Sequence, residues 1–265
     1  MTTPSRHGDP DAVFERDERI CRRCGTGAAE DPNGLALYPV GDAHEPGPVH
    51  ESALVTVCAP CLGSLESVPG EDVVLDDDAL FDLVRQTTER QGVTVSAVAA
   101  FASLATELPG KLEAGEHDGD LAGEYVQARR EVLLAIDSVD SRLEHLHAVD
   151  DSTLEPAVAE ALTAFRGGGT KLQSELRGIV ALGESVAAGI GRCHGCFEPI
   201  ADGESRCPVC DLEYRDVEDW RPAPGEGVAF HRLFEAINET LQAASGTTES
   251  LTGHTTAVAE ALRGG

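Results

Sequence analysis

The sequence predicts a mainly α protein with two small zinc-binding α+β modules and a long antiparallel helical hairpin or bundle in the centre. Three observations carry that expectation. All eight cysteines fall in CxxC pairs, Cys21/Cys24, Cys58/Cys61, Cys193/Cys196 and Cys207/Cys210, confined to the two outer parts of the chain. Over much of the remainder, apolar residues recur at alternating intervals of three and four, the spacing of one helix face. Aromatic residues are only 4% of the 265, and Ala, Val and Leu dominate the apolar set, which suits helices packed through small side chains.

A short helix is expected from Pro10 to Ile20, opened by Asp9 and Asp11 and ending at the first cysteine pair. A loop-rich stretch follows to Gly70, so residues 1–70 form the first module. From Asp76 the pattern turns helical: "DDDALFDLVRQTTERQG" begins with acids, which a helix N-terminus favours, and stops near Gly92. A second helix runs to Leu108, before Pro109, and Gly110 to Gly119 reads as a linker. Tyr125, Val132, Ile136, Val139, Leu143 and Leu146 then share one seam, interrupted by Arg129. Leu154, Val158, Ala161 and Phe165 continue it, and Leu172, Ile179, Leu182 and Val186 resume it after a hinge at Gly167–Gly169. The run "AVDDSTLEP" supplies a turn and cap, so residues 71–190 form a helical region with a coiled-coil-like antiparallel hairpin. Residues 191–225 hold the second cysteine set, and residues 226–265 a C-terminal helix with Phe234, Ile237, Leu241, Ala244, Leu251, Val258 and Leu262 on one face. Gly246 and Gly253 are its candidate interruptions. That helix is expected to return onto the hairpin or to pair with another chain as a homo-oligomer.

Two local motifs are set aside. "GGGTK" at Gly167 to Lys171 lacks the spacing and the preceding strand of a phosphate loop. His145 and His147 are two apart on a helix and point away from each other, so they do not share a metal.

Thiols at CxxC spacing form a tight knuckle in which two thiolates face one ion, and two knuckles complete a tetrahedral zinc site. Cys193, Cys196, Cys207 and Cys210, with ten residues between the pairs, carry a zinc-ribbon signal. Cys21 and Cys24 are separated from Cys58 and Cys61 by 33 residues, so their pairing with one another is an inference, with ligand sharing between the two ends as the alternative. Two Zn²⁺ ions are expected. A redox CxxC would stand alone on a thioredoxin-like unit, and the pattern contains none.

The chain carries 47 Asp and Glu against 20 Lys and Arg, a formal net charge of −27. Such a chain repels itself in dilute buffer; at molar salt the Debye length falls to roughly 3 Å and the repulsion is screened. The composition therefore points to the cytoplasm of a salt-accumulating, halophilic microbe. No apolar core follows Met1, and the apolar run Val93 to Leu108 is broken by Ser and Thr, so a cytoplasmic protein with no membrane span is expected. The acidic excess weakens any binding of a phosphate backbone through counterion release. Arg16, Arg19, Arg22 and Arg23 are the one local arginine cluster, interleaved with Glu15, Asp17 and Glu18.

Residues Ala12 to Gly25 ("AVFERDERICRRCG"), "LALYPV" from Leu35 and "ALVTVCAPCL" from Ala53 together resemble the HNH endonuclease family in its zinc-bearing form. The resemblance covers about a quarter of the chain and includes Arg16, Asp17, the four N-terminal cysteines, Gly25, Leu35, Leu54, Val55 and Thr56. It implies a metal-dependent cut made by a histidine base, an orienting asparagine and a histidine ligand. At those positions this chain has Tyr38 and Pro39, Ala53, and Leu62, none of which supplies the required proton acceptor or ligand. The catalytic set is therefore expected to be absent, with His44 and His50 in the intervening loop as the only candidates to restore it.

These readings converge on a zinc-binding protein with a catalytically degenerate HNH-like module, acting as a nucleic-acid- or protein-binding scaffold. The alternatives are an active metal-dependent endonuclease with a rearranged site, and a helical oligomeric scaffold capped by zinc modules.

Overall fold

Four long helices dominate the computed structural model, which describes residues 9–31, 33–41, 49–70, 73–115, 118–200, 203–223 and 225–264. They are α3 (Asp77–Glu113), α4 (Asp118–His147), α5 (Pro156–Gly189) and α6 (Phe230–Gly264). Two short helices precede them, α1 (Pro10–Arg16) and α2 (Ala59–Glu66), around the antiparallel strands β1 (Leu35–Pro39) and β2 (Leu54–Cys58). α3 and α5 touch each other, and each touches both α4 and α6. The helices alternate in direction. Gly169 and Gly183 of α5 face Gln91 and Phe101 of α3 in parallel order, while Gly168 and Gly189 face Leu251 and Phe230 of α6 in reverse order.

The seam read from the sequence is the bundle core. Tyr125, Val132, Ile136, Val139, Leu143 and Leu146 are buried on α4, as are Val158, Phe165, Leu172, Ile179 and Val186 on α5 and Ile237, Ala244, Leu251 and Val258 on α6. The C-terminal helix returns onto α5 and α3 of its own chain. A turn at 148–155 joins α4 to α5, and Arg166 fastens it by bonding Asp151 and the Val149 carbonyl.

The breaks expected in three of the long helices are absent. α3 passes through Gly92 and Pro109 as one helix, burying Thr87, Gln91, Thr94, Val98, Phe101 and Leu108. The proline forfeits one backbone bond, and the apolar face on both sides holds the helix together. The linker begins only after Glu113. α5 passes through Gly167–Gly169 without a hinge, and Gly168 and Gly169 serve close approach between helices. A Cβ on Gly169 would lie 2.8 Å from Leu143, and one on Gly168 would lie 3.2 Å from Leu251. α6 likewise continues through Gly246 and Gly253. At the N-terminus the opposite holds: α1 ends at Arg16, because Glu18 and Arg19 turn into left-handed conformations with φ of 56° and 54°.

α3 is the one helix among the described residues long and apolar enough to cross a membrane by length and composition, and its apolar side faces the bundle. The first module rests on α4, where Tyr38, Val40, Val55 and Val57 form a second apolar cluster with Leu134, flanked by Leu133. The second cysteine set is inserted between α5 and α6 and sends Phe197 into the bundle core against Tyr125, with ring centroids 4.8 Å apart.

Two glycines give opposite tests of this packing. A Cβ on Gly183 would meet the Phe101 ring at 2.7 Å, so Gly183→Ala is expected to destabilise by about 1–3 kcal/mol. Nothing lies within 4 Å of a Cβ on Gly92, and Gly92→Ala is expected to stabilise by about 0.5–1 kcal/mol. Chemical denaturation of the two variants in concentrated KCl measures both.

Candidate metal centres

Three of the four cysteine pairs adopt one knuckle geometry. The amides of Cys21, Cys193 and Cys207 each donate to the carbonyl five residues on, and the amides of Gly25, Phe197 and Asp211 return a bond to the cysteine carbonyl. That closure needs positive φ at the fourth residue after the first cysteine: 81° at Gly25, 64° at Phe197 and 62° at Asp211. Gly25 adopts it freely, whereas a phenylalanine there is strained. The buried contact of the Phe197 ring with Tyr125 offsets the strain. The fourth pair is built differently. Cys58 ends β2 and caps α2, placing Cys61 in its first turn. Cys58 makes no side-chain cap bond, and buried Asp31 supplies one by accepting from the Ala59 amide at 2.8 Å.

The first module is clamped by two polar residues at the end of α1. Arg16 pairs with Asp17 and donates to the carbonyls of Glu51 and Leu54, while Asp17 accepts from the Thr56 amide at 2.8 Å. α1 is thereby tied to β2, across which Arg22 donates its amide to the Thr56 carbonyl. The β1–β2 register sets Leu35 opposite Cys58 and Pro39 opposite Leu54.

These supports bring Cys21, Cys24, Cys58 and Cys61 together, and separately Cys193, Cys196, Cys207 and Cys210, with the ligand atoms of each set within 4.8 Å of one another. The N-terminal pairs therefore meet each other and are not shared with the second set. Sulfur separations are 3.6 Å for Cys24–Cys58 and 3.5 Å for Cys193–Cys210 and Cys196–Cys207. A tetrahedral zinc with bonds of about 2.3 Å has ligand edges of about 3.8 Å, so each set fits one Zn²⁺. All eight thiols are free of disulfides. The second centre holds its knuckles by the isolated bridges Arg192–Pro199 and Arg206–Glu213, with no longer strand pair among the described residues.

The protonation pattern matches this fit. Burial pushes the Cys24 thiol up, yet hydrogen bonds from Thr26 and neighbouring thiols outweigh it and bring Cys24 down to about 6. Burial and the adjacent sulfurs push Cys61 up. In the second centre, bonds from Cys196 and Cys210 bring Cys193 far down, while Cys196 is driven far up and Cys210 to about 12. Four thiolates this close repel one another, and a divalent cation lets all of them ionise.

A buried ion cluster joins the second centre to the bundle. Glu184 of α5, 2% exposed, accepts from Arg129 of α4 at 2.7 Å and from Arg215 beyond the last knuckle. The Tyr125 hydroxyl donates to the His194 carbonyl at 3.0 Å. Arg129 thus interrupts the seam because it is one half of a buried ion pair. Burial raises the Glu184 carboxyl, but the two guanidinium groups outweigh it and hold the acid below its ordinary range.

The remaining expected residues fall as follows. Tyr38 and Ala53 are buried, Pro39 pairs with Leu54, and Leu62 packs on the first module's apolar cluster. Burial and the carboxylates of Asp137 and Asp140 push the Tyr38 phenol well up. His50 caps the turn Glu51–Ala53, with Nδ1 accepting from the Ser52 amide at 3.2 Å, and burial lowers its basicity. His44 lies outside the described residues. His145 bonds Ser67 and Ser141, while His147 bonds Thr170, so the two imidazoles serve different contacts. The expected Arg16–Arg23 cluster does not form on one helix. Arg16 is engaged in the β2 clamp, and Arg22 and Arg23 lie on the knuckle, where they meet Arg90 of α3. Arg90, Asp31, Glu184 and Arg215 went unread because each acts on a partner at least 28 residues away.

No protein-family model matches the chain, and neither a curated protein nor a solved structure does.

Elemental analysis is expected to give two zinc ions per chain, and one after Cys210→Ser. Chelation in concentrated KCl should preserve most far-ultraviolet helicity while lowering the Tm, since Phe197 belongs to the bundle core; an unchanged Tm would contradict that coupling. Because the Glu184 pKa is depressed by folding, its ion pairs stabilise fully above the unfolded value of about 4.3 and are lost as pH falls through the lower folded value. Glu184→Gln is accordingly expected to be less stable than the parent at neutral pH, with a flatter acid limb in a pH series of denaturation curves.

Proposed function

We propose that this chain is a non-catalytic scaffold: a zinc-stapled helical bundle whose HNH-like module keeps the architecture of a nuclease and serves to bind a protein partner. The carrying observation is the set of four positions where the resemblance calls for reactive groups. Tyr38, Pro39, Ala53 and Leu62 are occupied by side chains that pack, and Tyr38 and Ala53 are buried. A phenol held above its usual range by burial and by Asp137 and Asp140 does not take a proton from water near neutral pH. His50, the described candidate for a substitute base, is engaged in capping its own turn. Its Nδ1 is therefore committed to Ser52, and burial lowers the basicity of the ring.

A protein partner is favoured over a nucleic acid by the net charge of −27, which opposes a polyanion over most of the surface. High salt, to which the acidic composition is suited, further weakens backbone binding through counterion release. The same composition supports a cytoplasmic setting in a halophile. Self-association through the heptad seams is less favoured, since those residues are already buried within one chain.

Incubation with supercoiled DNA and with RNA, in Mg²⁺ or Mn²⁺ at high KCl, is expected to give no cleavage, and His50→Ala no change. Cleavage that disappears in His50→Ala would replace this reading with an active endonuclease. Affinity capture from a high-salt lysate is expected to retain a stoichiometric protein after nuclease digestion; capture lost on digestion would overturn the choice of partner.

A further inference from the structure

The two zinc centres offer their sulfurs to solvent unequally. Of the eight cysteines Cys24 alone is exposed; Cys21 and Cys58 of its set are buried, as are Cys193 and Cys207 of the second, and Cys61, Cys196 and Cys210 are partly buried. Each centre has a local reason for this. Beside Cys24 the knuckle closes with Gly25, and a Cβ built there would meet nothing within 4 Å, so that edge stands open. In the second centre a Cβ on Gly195 would collide with Leu212 and lie 3.3 Å from the Cys210 sulfur, so the space beside that knuckle is filled.

Cys24 also has a reaction partner in place. Its Sγ lies 3.6 Å from Sγ of Cys58 at the end of β2, and closing the roughly 2.05 Å bond of a disulfide brings the two sulfurs together by about 1.5 Å. A coordinated divalent cation keeps both as thiolates. An accessible thiolate with a second sulfur beside it is the arrangement that peroxides oxidise first.

We propose that Cys24 is an oxidation site, where hydrogen peroxide converts Cys24 and Cys58 to a disulfide and expels zinc from the first centre while the second keeps its ion. The Cys24 thiolate attacks one peroxide oxygen; an S–O bond forms, the O–O bond breaks and hydroxide leaves, giving a sulfenic acid. The Cys58 thiolate then attacks that sulfur; the S–S bond forms, the S–O bond breaks and a second hydroxide leaves. Two protons from solvent turn both hydroxides to water, so the two sulfurs lose the two electrons that the peroxide gains. Hydrogen peroxide is small and uncharged, and the net charge of −27 does not hold it off as it would an anionic oxidant. The metal is left with Cys21 and Cys61 as its only ligands, too few to close a tetrahedral site. Cys21 and Cys58 belong to the apolar cluster that seats the first module on Leu134, so the event loosens that module from α4. This inference concerns the metal and stands apart from the scaffold reading, which could fail without affecting it.

The test exposes the zinc-loaded full chain, in concentrated KCl and freed of reductant, to a small excess of hydrogen peroxide, with released zinc read by a chromogenic chelator against a peroxide-free control. One ion per chain is expected to leave at least about tenfold faster than the other. Alkylation and peptide mass mapping at that point is expected to find Cys24 joined to Cys58 and Cys193, Cys196, Cys207 and Cys210 still reduced. A thiol reductant with added zinc should restore two ions per chain. Cys24→His keeps a zinc ligand without the oxidisable sulfur, so it is expected to hold two ions and to lose neither quickly. Should that variant fail to hold zinc, the rates and the disulfide map of the parent decide alone. Equal release from the two centres, a first disulfide without Cys24 or Cys58, or rapid release from a two-zinc Cys24→His protein overturns the proposal.

Discussion

Mutual repulsion among thiolates governs this molecule. Each set of four sulfurs is drawn within 4.8 Å, the first by a knuckle and a helix cap and the second by two knuckles, a spacing that anionic sulfur tolerates only around a cation. The first module has little else to close it: two five-residue strands, a seven-residue helix and an eight-residue helix. Metal coordination supplies folding energy that such short, glycine-containing segments cannot draw from apolar burial. Everything presented on that module, from the Arg16–Asp17 clamp to the exposed Cys24, inherits its position from the ion.

The bundle differs in its source of stability but is not independent. Its helices cohere through a continuous apolar core, tightened where Gly168, Gly169 and Gly183 let neighbours approach. At one end that core is completed from outside by Phe197. Next to it, Glu184 and its two arginines join α4, α5 and the tail of the second module. Removing one member of such a cluster strands a buried charge, which is why its loss is felt more than its presence is worth. Module and bundle are therefore separate in sequence and joined in energy.

Local and periodic features were legible in the sequence; pairwise ones were not. Cysteine spacing identified the eight ligands and grouped the second set, while the meeting of the two N-terminal pairs became visible only in the fold; the three-four alternation identified the buried faces of α4, α5 and α6. Punctuation by glycine and proline misled. Gly92 and Gly167–Gly169 carry local penalties of about 1 kcal/mol each and Pro109 one of about 3 kcal/mol, which burial of Val98, Phe101, Leu108 and Leu172 outweighs. The meeting of Arg23 with Arg90, or of Glu184 with Arg215, depends on how distant segments pack, and a single sequence carries no signal for it.

The second zinc module also occupies a particular place in the connectivity. It is spliced between two helices whose facing ends already touch, since a Cβ on Gly189 would lie 3.0 Å from Phe230. A tight turn of a few residues could join α5 to α6 directly, so the chain path does not require the roughly forty residues in between. What opposes their excision is the hole they would leave: Tyr125 would lose its ring neighbour and Glu184 one of its cations. The insert is thus dispensable as a connector and indispensable as a plug, a detour in topology that the helices have come to lean on.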